Sequence, residues 1–160
     1  MPLRIEPAQP RDTAALLSLI RALAEYERLT HLVVGTEARL REELFGARPV
    51  IEAVLGWDDG RPVGFALYFH NFSTFLARRG LYLEDLFVIP EARGRGYGKA
   101  LMRHVARVAV SRECGRFEWS VLDWNRPAID FYRALGAEVL PDWRICRVSG
   151  AALAALGAPE

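Results

Sequence analysis

The sequence predicts an α/β protein in which a central, twisted mixed sheet is flanked by helices. Its 160 residues, 51% of them hydrophobic, suit a single domain, 1–160, with a full core. Strand-like and helix-like stretches follow one another in the order β-α-α-β-β-β-α-β-α-β-β. In the middle of this order, a strand passes through a glycine-rich turn into a helix.

The first helix ends in an unusual run of acidic residues. A short strand, Leu3 to Glu6, precedes it, and Asp12 or Thr13 is the expected cap of a helix that runs to about Arg28. Its end, Glu25-Tyr26-Glu27, opposes the helix dipole. This end is either a solvated surface or a place that receives a cation. The apolar stripe that predicts burial of the helix comprises Leu16, Leu19, Ile20, Leu23 and Ala24.

A second helix and a hairpin follow. Thr36 is the expected cap of a helix that reaches about Phe45. Asp58-Asp59-Gly60 is a turn signal between two strands. The strands are expected at Pro49–Trp57 and Arg61–His70, and an Asn71–Gly80 loop with two exposed aromatics, Phe72 and Phe75, comes next.

The stretch from Leu81 to Met102 organises the chain. The Leu81–Ile89 strand stops at Pro90, because proline cannot continue a strand ladder. Gly94, Gly96 and Gly98 then open a loop, and a helix is expected from Lys99 to Arg112. Unpaired N–H groups and the helix dipole make such a turn a candidate anion site.

The C-terminal third is predicted to contain a strand, a helix, two further strands and a short helix. Asn125 is the expected cap of a helix that ends at Leu135-Gly136. Ser149 is the expected cap of the last helix. The strands are expected at Arg116–Leu122, Ala137–Leu140 and Trp143–Val148.

Composition excludes several classes of function. Net charge is +1, with 21 basic and 20 acidic residues, which argues against broad binding of nucleic acid or of an anionic membrane. Two cysteines without a Cys-x-x-Cys pattern argue against a structural zinc or a disulfide framework, and no metal site is expected. The N-terminus lacks an apolar signal core, and no apolar run could span a bilayer, so we expect a cytoplasmic protein.

Two familiar nucleotide patterns fail at the glycine loop. The phosphate loop of nucleotide hydrolases would need Gly at Arg93 and Ser or Thr at Ala100, and the dinucleotide fingerprint would need Gly at Lys99. Arg93-x-x-Gly96-x-Gly98 instead resembles the pyrophosphate-binding motif of the GNAT superfamily of acetyltransferases, which hold acetyl-coenzyme A. An ordinary glycine-rich βα turn is the alternative for the motif alone.

Over nearly its full length, the chain resembles the diamine acetyltransferases of that superfamily, which acetylate spermidine, spermine or thialysine. The resemblance implies a GNAT-like acyl-CoA N-acyltransferase fold, with acetyl-coenzyme A as cosubstrate and a small cationic amine as acceptor. It also implies a homodimer, for which the apolar Ala151–Leu156 segment could supply contacts. Four stretches carry the resemblance: Leu23–Glu27, Leu81–Val88, Arg93–Lys99 and Leu122–Tyr132.

The resemblance also implies roles for individual residues. Tyr132 would be the general acid, Glu84 would face the amine, and Tyr26 with Glu27 would bind the cationic body of the acceptor. Asp85 would join the acceptor site only if a bulge intervenes, because strand alternation otherwise turns it to the opposite face. The coenzyme would be held by Leu86, Phe87, Val88, Arg93, Gly94, Arg95, Gly96, Tyr97, Gly98, Lys99, Asn125, Pro127 and Ala128.

This chemistry suits the residues. An alkylamine with a pKa of ~10.4 is protonated at pH 7 and cannot attack, so a carboxylate such as Glu84 must take its proton. Because an unpaired carboxylate in an apolar strand costs stability, a functional reading of Glu84 is favoured. From pattern alone, Tyr132 is a core residue, and Glu118 is open to a structural ion pair.

Several alternatives remain open at this stage. The acceptor could be a protein N-terminus or a lysine, or the chain could be a catalytically silent coenzyme A-binding module. The uncharged Phe72–Phe75 loop departs from polyamine-specific relatives, in which an acidic residue and a Trp often occur.

Overall fold

A computed structural model describes residues 2–160 of the chain. Within these residues there are five strands, five α-helices and three short 3-10 turns. In chain order the strands and α-helices are β1 (Arg4–Pro7), α1 (Thr13–Tyr26), α2 (Glu37–Phe45), β2 (Glu52–Asp58), β3 (Arg61–Ser73), β4 (Arg78–Val88), α3 (Tyr97–Ser111), β5 (Phe117–Trp119), α4 (Arg126–Ala134) and α5 (Gly150–Leu156).

The chain divides into two compact units, Met1–Ser120 and Val121–Glu160. The first unit contains the whole sheet together with α1, α2 and α3, and the second contains α4 and α5.

The five strands form one sheet in the order β1-β2-β3-β4-β5. Neighbouring strands are antiparallel except for β4 and β5, which are parallel. The expectation of a mixed sheet is therefore confirmed. The parallel pair arises because β4 and β5 are joined through α3, a crossover that returns the chain to the same end of the sheet.

Helices cover both faces of this sheet. A Cβ placed on Gly64 would lie 3.2 Å from Leu101 of α3, so α3 packs on the face of Gly64 and of its cross-strand partner Val88. Phe87, one residue earlier in β4, points to the other face, where an arginine joins it to the end of α1. The fully buried core side chains come from both layers: Leu16, Leu55, Phe65, Leu81, Leu101 and Val105.

The helix caps show how local chemistry sets the boundaries. The side chains of Thr36 and Asn125 accept hydrogen bonds from the N–H groups of Arg39 and Ala128, at 3.2 and 3.3 Å, as predicted. Asp12 precedes α1, but its carboxylate accepts from the N–H of Gln9 in the preceding turn. No helix among the described residues is long and apolar enough to cross a membrane.

Two predicted boundaries are wrong. The expected Asn71–Gly80 loop is mostly paired strand, with Asn71 opposite Gly80, and only residues 74–77 turn. The strand expected over Arg116–Leu122 is limited to Phe117–Trp119.

The two strands expected after Gly136 are also wrong, since residues 137–148 contain no strand. Trp143 and Ile145 are 79% and 71% exposed there. Alternating apolar residues stabilise a strand only when it pairs with another, and the unit Val121–Glu160 contains no strand.

Candidate functional site

Strand β4 has one residue more than β3 at one point of the ladder that pairs them. Leu83 lies opposite Tyr68 and Asp85 lies opposite Leu67, so Glu84 has no cross-strand partner and forms a β-bulge. Leu83 and Asp85 therefore point to opposite faces although they are two residues apart. The bulge puts Asp85 on the face of Phe87, which also receives the end of α1.

The bulge corrects one premise of the sequence-based assignment. Glu84 was expected to be the buried carboxylate of the strand, but it is exposed, and Asp85 is the half-buried one. The extra residue at a bulge is pushed out of the ladder, which explains why Glu84 reaches solvent. The condition for adding Asp85 to the acceptor site, an intervening bulge, is met.

Asp85 belongs to a cluster of three carboxylates. Burial, which is the largest cause, and the charges of Glu84 and Glu27 together raise its pKa from 3.8 to about 7. Burial also raises the pKa of Glu27, which caps the C-terminal end of α1. Glu84 and Glu27 are thus close enough to Asp85 to influence its ionisation. Such a cluster favours a cation and contains one group that can exchange a proton near pH 7.

Tyr26, the last residue of α1, meets the first residue of the glycine loop. The guanidinium carbon of Arg93 lies 4.7 Å from the centre of the Tyr26 ring and 5.5 Å from that of Phe87. Arg93 Nε also donates a 2.9 Å hydrogen bond to the carbonyl oxygen of Val88. The Arg93 side chain is therefore directed at β4 and α1.

The glycine loop itself has the backbone of an anion-binding turn. Gly94 and Gly96 have φ values of +77° and +79°, which only glycine adopts readily, and a Cβ at either position would meet open space. Gly96 is the N-cap residue of α3 and supplies no side-chain cap, so the first N–H groups of the helix are left for another acceptor. Lys99 is exposed in the first turn.

Arg95, the second arginine of the loop, forms an ion pair with Asp58. Its Nη1 lies 3.0 Å from Oδ2 of Asp58, at the end of β2, and the Asp58 side chain is only 16% exposed. A hydrogen bond with Tyr97 is the main cause that raises the pKa of Arg95, and Asp58 adds to it. Asp58 was read in the sequence only as a turn residue. A carboxylate in a hairpin gives no sign of a partner 37 residues away.

The pairing of β4 with β5 is short, which leaves one side of β4 without a strand partner near the bulge. In the described residues this pairing covers Leu81 to Leu83 only. The N–H of Ile89 donates to Val63 on β3, so by alternation the backbone groups of Val88 and Leu86 face away from β3. The backbone of Leu86–Val88 was the segment expected to pair with a coenzyme.

The remaining predicted site residues lie in the unit Val121–Glu160. Asn125 is 8% exposed and caps α4, where Pro127 and Ala128 occupy the first turn. Tyr132 is half-buried on the same helix, with its ring centre 5.4 Å from that of Phe131. Glu118, which was given no role, forms a 2.7 Å ion pair with Arg116.

Comparison with known proteins agrees with the sequence motifs. A model of the Acetyltransferase (GNAT) family matches residues 17–137. L-ornithine N5-acetyltransferase of Arabidopsis thaliana is 36% identical, over 96% of this chain and 87% of its own length. Thialysine N-epsilon-acetyltransferase of Bos taurus is 39% identical, over 93% of this chain and 94% of its own length. An integron cassette protein of V. cholerae is similar in structure, with a TM-score of 0.83, 26% identity and coverage of 99% of both chains.

Proposed function

Because this chain belongs to the GNAT acetyltransferase family and is thus an N-acetyltransferase, we propose that it acetylates a primary amine of a small cationic acceptor. The acetyl group comes from acetyl-coenzyme A, and the amine attacks it directly while both substrates are bound. The carboxylate cluster of Glu27, Glu84 and Asp85 is the observation that carries this proposal.

The cluster suits an acceptor with more than one positive centre. Glu84 is exposed and Glu27 is half-buried, so both can meet the cationic body of a ligand that enters from solvent. Tyr26, 36% exposed, adds an aromatic wall beside Glu27. Relatives named for thialysine and ornithine, which are small amino acids with a side-chain amine, support the same class of acceptor. A polyamine or a diamine belongs to this class too.

Asp85 is better suited than Glu84 to take the proton from the attacking amine. A general base works best when its pKa is near the working pH, and the pKa of Asp85 is about 7. Deprotonated Asp85 accepts the ammonium proton directly or through a water molecule, and the free amine then attacks the acetyl carbonyl. Glu84 remains beside the reacting amine as a charge that binds it. The proton-accepting role that the sequence assigned to Glu84 passes to Asp85.

The glycine loop fits the pyrophosphate of the coenzyme. The backbone of Gly94–Gly98 and the first turn of α3 offer N–H donors, and Lys99 adds a charge. Arg95 contributes less charge than the sequence suggested, because its guanidinium forms an ion pair with Asp58. Arg93 keeps its charge, but its guanidinium is directed at β4 and α1. We assign the pantetheine arm to Leu86, Phe87 and Val88, and the remaining coenzyme contacts to Asn125, Pro127 and Ala128.

Tyr132 is the proposed general acid. A phenol is protonated at neutral pH and can donate to the thiolate that leaves when the acetyl group is transferred. The thiolate is a fair leaving group by itself, since free thiols have pKa values of ~8.5. Proton donation by Tyr132 therefore assists the step and is not its main driving force.

A panel of acceptors tests this function. Thiol release from acetyl-coenzyme A is measured with thialysine, L-ornithine, spermidine and a lysine-containing peptide. We expect the highest kcat/KM with one of the three small amines. Preference for the peptide would assign the chain to protein acetylation, and binding without turnover of any amine would make it a silent coenzyme-binding module.

The coenzyme assignment has its own test. At 100 times its Kd, acetyl-coenzyme A should stabilise the fold by ~2.7 kcal/mol and raise the melting temperature, whereas NAD and ATP at equal concentration should not. A larger shift with NAD would contradict the coenzyme assignment.

We also propose that the protein is a homodimer. Apolar side chains on the C-terminal segment are unusually exposed, as Trp143 and Leu156 show at 79% and 74%. A second copy of the chain could cover them. Light scattering at micromolar concentration should give about twice the 18.0 kDa mass of the chain, and a particle of single mass would refute the dimer.

A further inference from the structure

The backbone of Arg93 is part of the glycine loop, and its side chain contacts α1 and β4. Its N–H donates to Pro90 at 3.2 Å, which fixes the residue at the start of the loop. Its Nε donates to Val88 on β4, and its guanidinium lies over the rings of Tyr26 and Phe87. One side chain thus connects the loop proposed for the coenzyme with the helix end proposed for the acceptor.

The C-terminal end of α1 is weakly held, so a contact with Arg93 can stabilise it. Tyr26 is its last residue, and Arg28, two residues later, has a φ of +60°, which is unfavourable for a side chain other than glycine. The segment that follows is largely exposed, with Val34 at 85%. Helix ends of this kind open locally at low free energy, so a contact that holds Tyr26 in place also holds its neighbour Glu27.

We propose that Arg93 is a positioning residue that couples the two substrate sites. An anion bound to the loop backbone orders the loop, the ordered loop fixes the Arg93 guanidinium, and this guanidinium fixes Tyr26 and Glu27 in the acceptor site. By linkage, the acceptor strengthens coenzyme binding by the same factor. The inference rests on the proposed function but concerns a relation between the two sites.

Hydrogen exchange measured by mass spectrometry tests the coupling without knowledge of the acceptor. Coenzyme A alone is the probe, added at saturation to the full-length protein. In the parent, we expect slower exchange in peptides covering the 90–100 loop and also in those covering 23–30, by about fivefold or more. Arg93→Met should keep the first effect and lose the second.

Two further variants complete the design. Tyr26→Leu removes the aromatic ring and leaves the Arg93 hydrogen bond to Val88, so it should also lose the response at 23–30. Should Arg93→Met fold poorly or bind coenzyme A weakly, Tyr26→Leu decides the question. Arg21→Met, on the exposed side of the same helix, is the matched control and should respond like the parent.

The outcomes separate this inference from the proposed function. Protection of the loop without any change at 23–30 in the parent would overturn the coupling and leave the coenzyme site intact. Retention of the 23–30 response in both Arg93→Met and Tyr26→Leu would overturn the role of Arg93. Absence of loop protection in the parent would overturn the coenzyme site itself, and the coupling with it.

Discussion

Replacing Asp85 by Asn should make the protein more stable and less active at the same time. In the folded state, burial and, to a smaller extent, the charges of Glu84 and Glu27 raise the pKa of this carboxyl from 3.8 to about 7, so ionisation is unfavourable there. The difference of about 3 corresponds to at most ~4 kcal/mol, since each pKa unit is worth ~1.4 kcal/mol. An amide of the same shape never ionises and removes this cost.

The effect has a defined pH window. Below pH 3.8, Asp85 is protonated in both the folded and the unfolded chain, and its ionisation does not oppose folding. Between pH 3.8 and 7 the unfolded chain releases this proton first, so the parent loses stability as pH rises. The advantage of Asp85→Asn should therefore grow through this window and level off above pH 8.

Urea denaturation at pH 5 and pH 8.5 measures the change. With a denaturant slope of ~2 kcal/mol/M, the midpoint of Asp85→Asn should exceed that of the parent by up to ~2 M at pH 8.5, and by less at pH 5. Asp142→Asn, at an exposed position, is the control and should match the parent in midpoint and activity. An Asp85→Asn midpoint advantage that is equal at both pH values would refute the proposed burial of charge.

The same variant tests catalysis. Loss of a general base should lower kcat/KM by ~10²–10⁴-fold and remove the acidic limb of the pH profile near pH 7. A stabilised variant with full activity would show that Asp85 is only a buried carboxyl and that another group takes the proton.

Three further substitutions address the other residues proposed for the active site. Glu84→Gln removes a charge that raises the pKa of Asp85, so the acidic limb of the pH–kcat/KM profile should move to lower pH. An unchanged acidic limb would show that Glu84 does not influence the ionisation of Asp85. Glu27→Gln should raise KM for the amine more than it lowers kcat, because Glu27 is proposed to bind the acceptor remote from the reacting nitrogen, and an unchanged KM for every amine would leave it without a binding role. Tyr132→Phe should lower kcat by ~10²-fold, as measured by steady-state kinetics, while coenzyme affinity and the melting temperature measured by calorimetry stay near those of the parent. Full turnover in the folded variant would refute the general-acid role.

The parts of the fold that were predicted well depend on neighbours in sequence. Thr36 and Asn125 cap their helices through N–H groups three residues away, and the turn at Asp58–Gly60 is local too. The apolar stripe of α1 is buried at Leu16 and Leu23 because helical spacing alone defines a face.

The parts that were missed depend on partners distant in sequence. The bulge at Glu84 exists only in relation to β3, so alternation within β4 could not reveal which carboxyl is buried. The engagement of Arg95 with Asp58 spans 37 residues in the same way. The strand expected at Trp143–Val148 contains apolar and β-branched residues but forms no pair, and composition does not specify a partner.

The β4 bulge also bears on how the length of this strand could change. Removing one residue from a paired strand normally turns every later side chain to the opposite face. Glu84 is the exception, because Leu83 and Asp85 already oppose consecutive residues, Tyr68 and Leu67. A chain shortened by Glu84 alone would keep both flanks in register and lose only a carboxylate. The fold should therefore tolerate deletion of Glu84 better than deletion of any paired residue of β4.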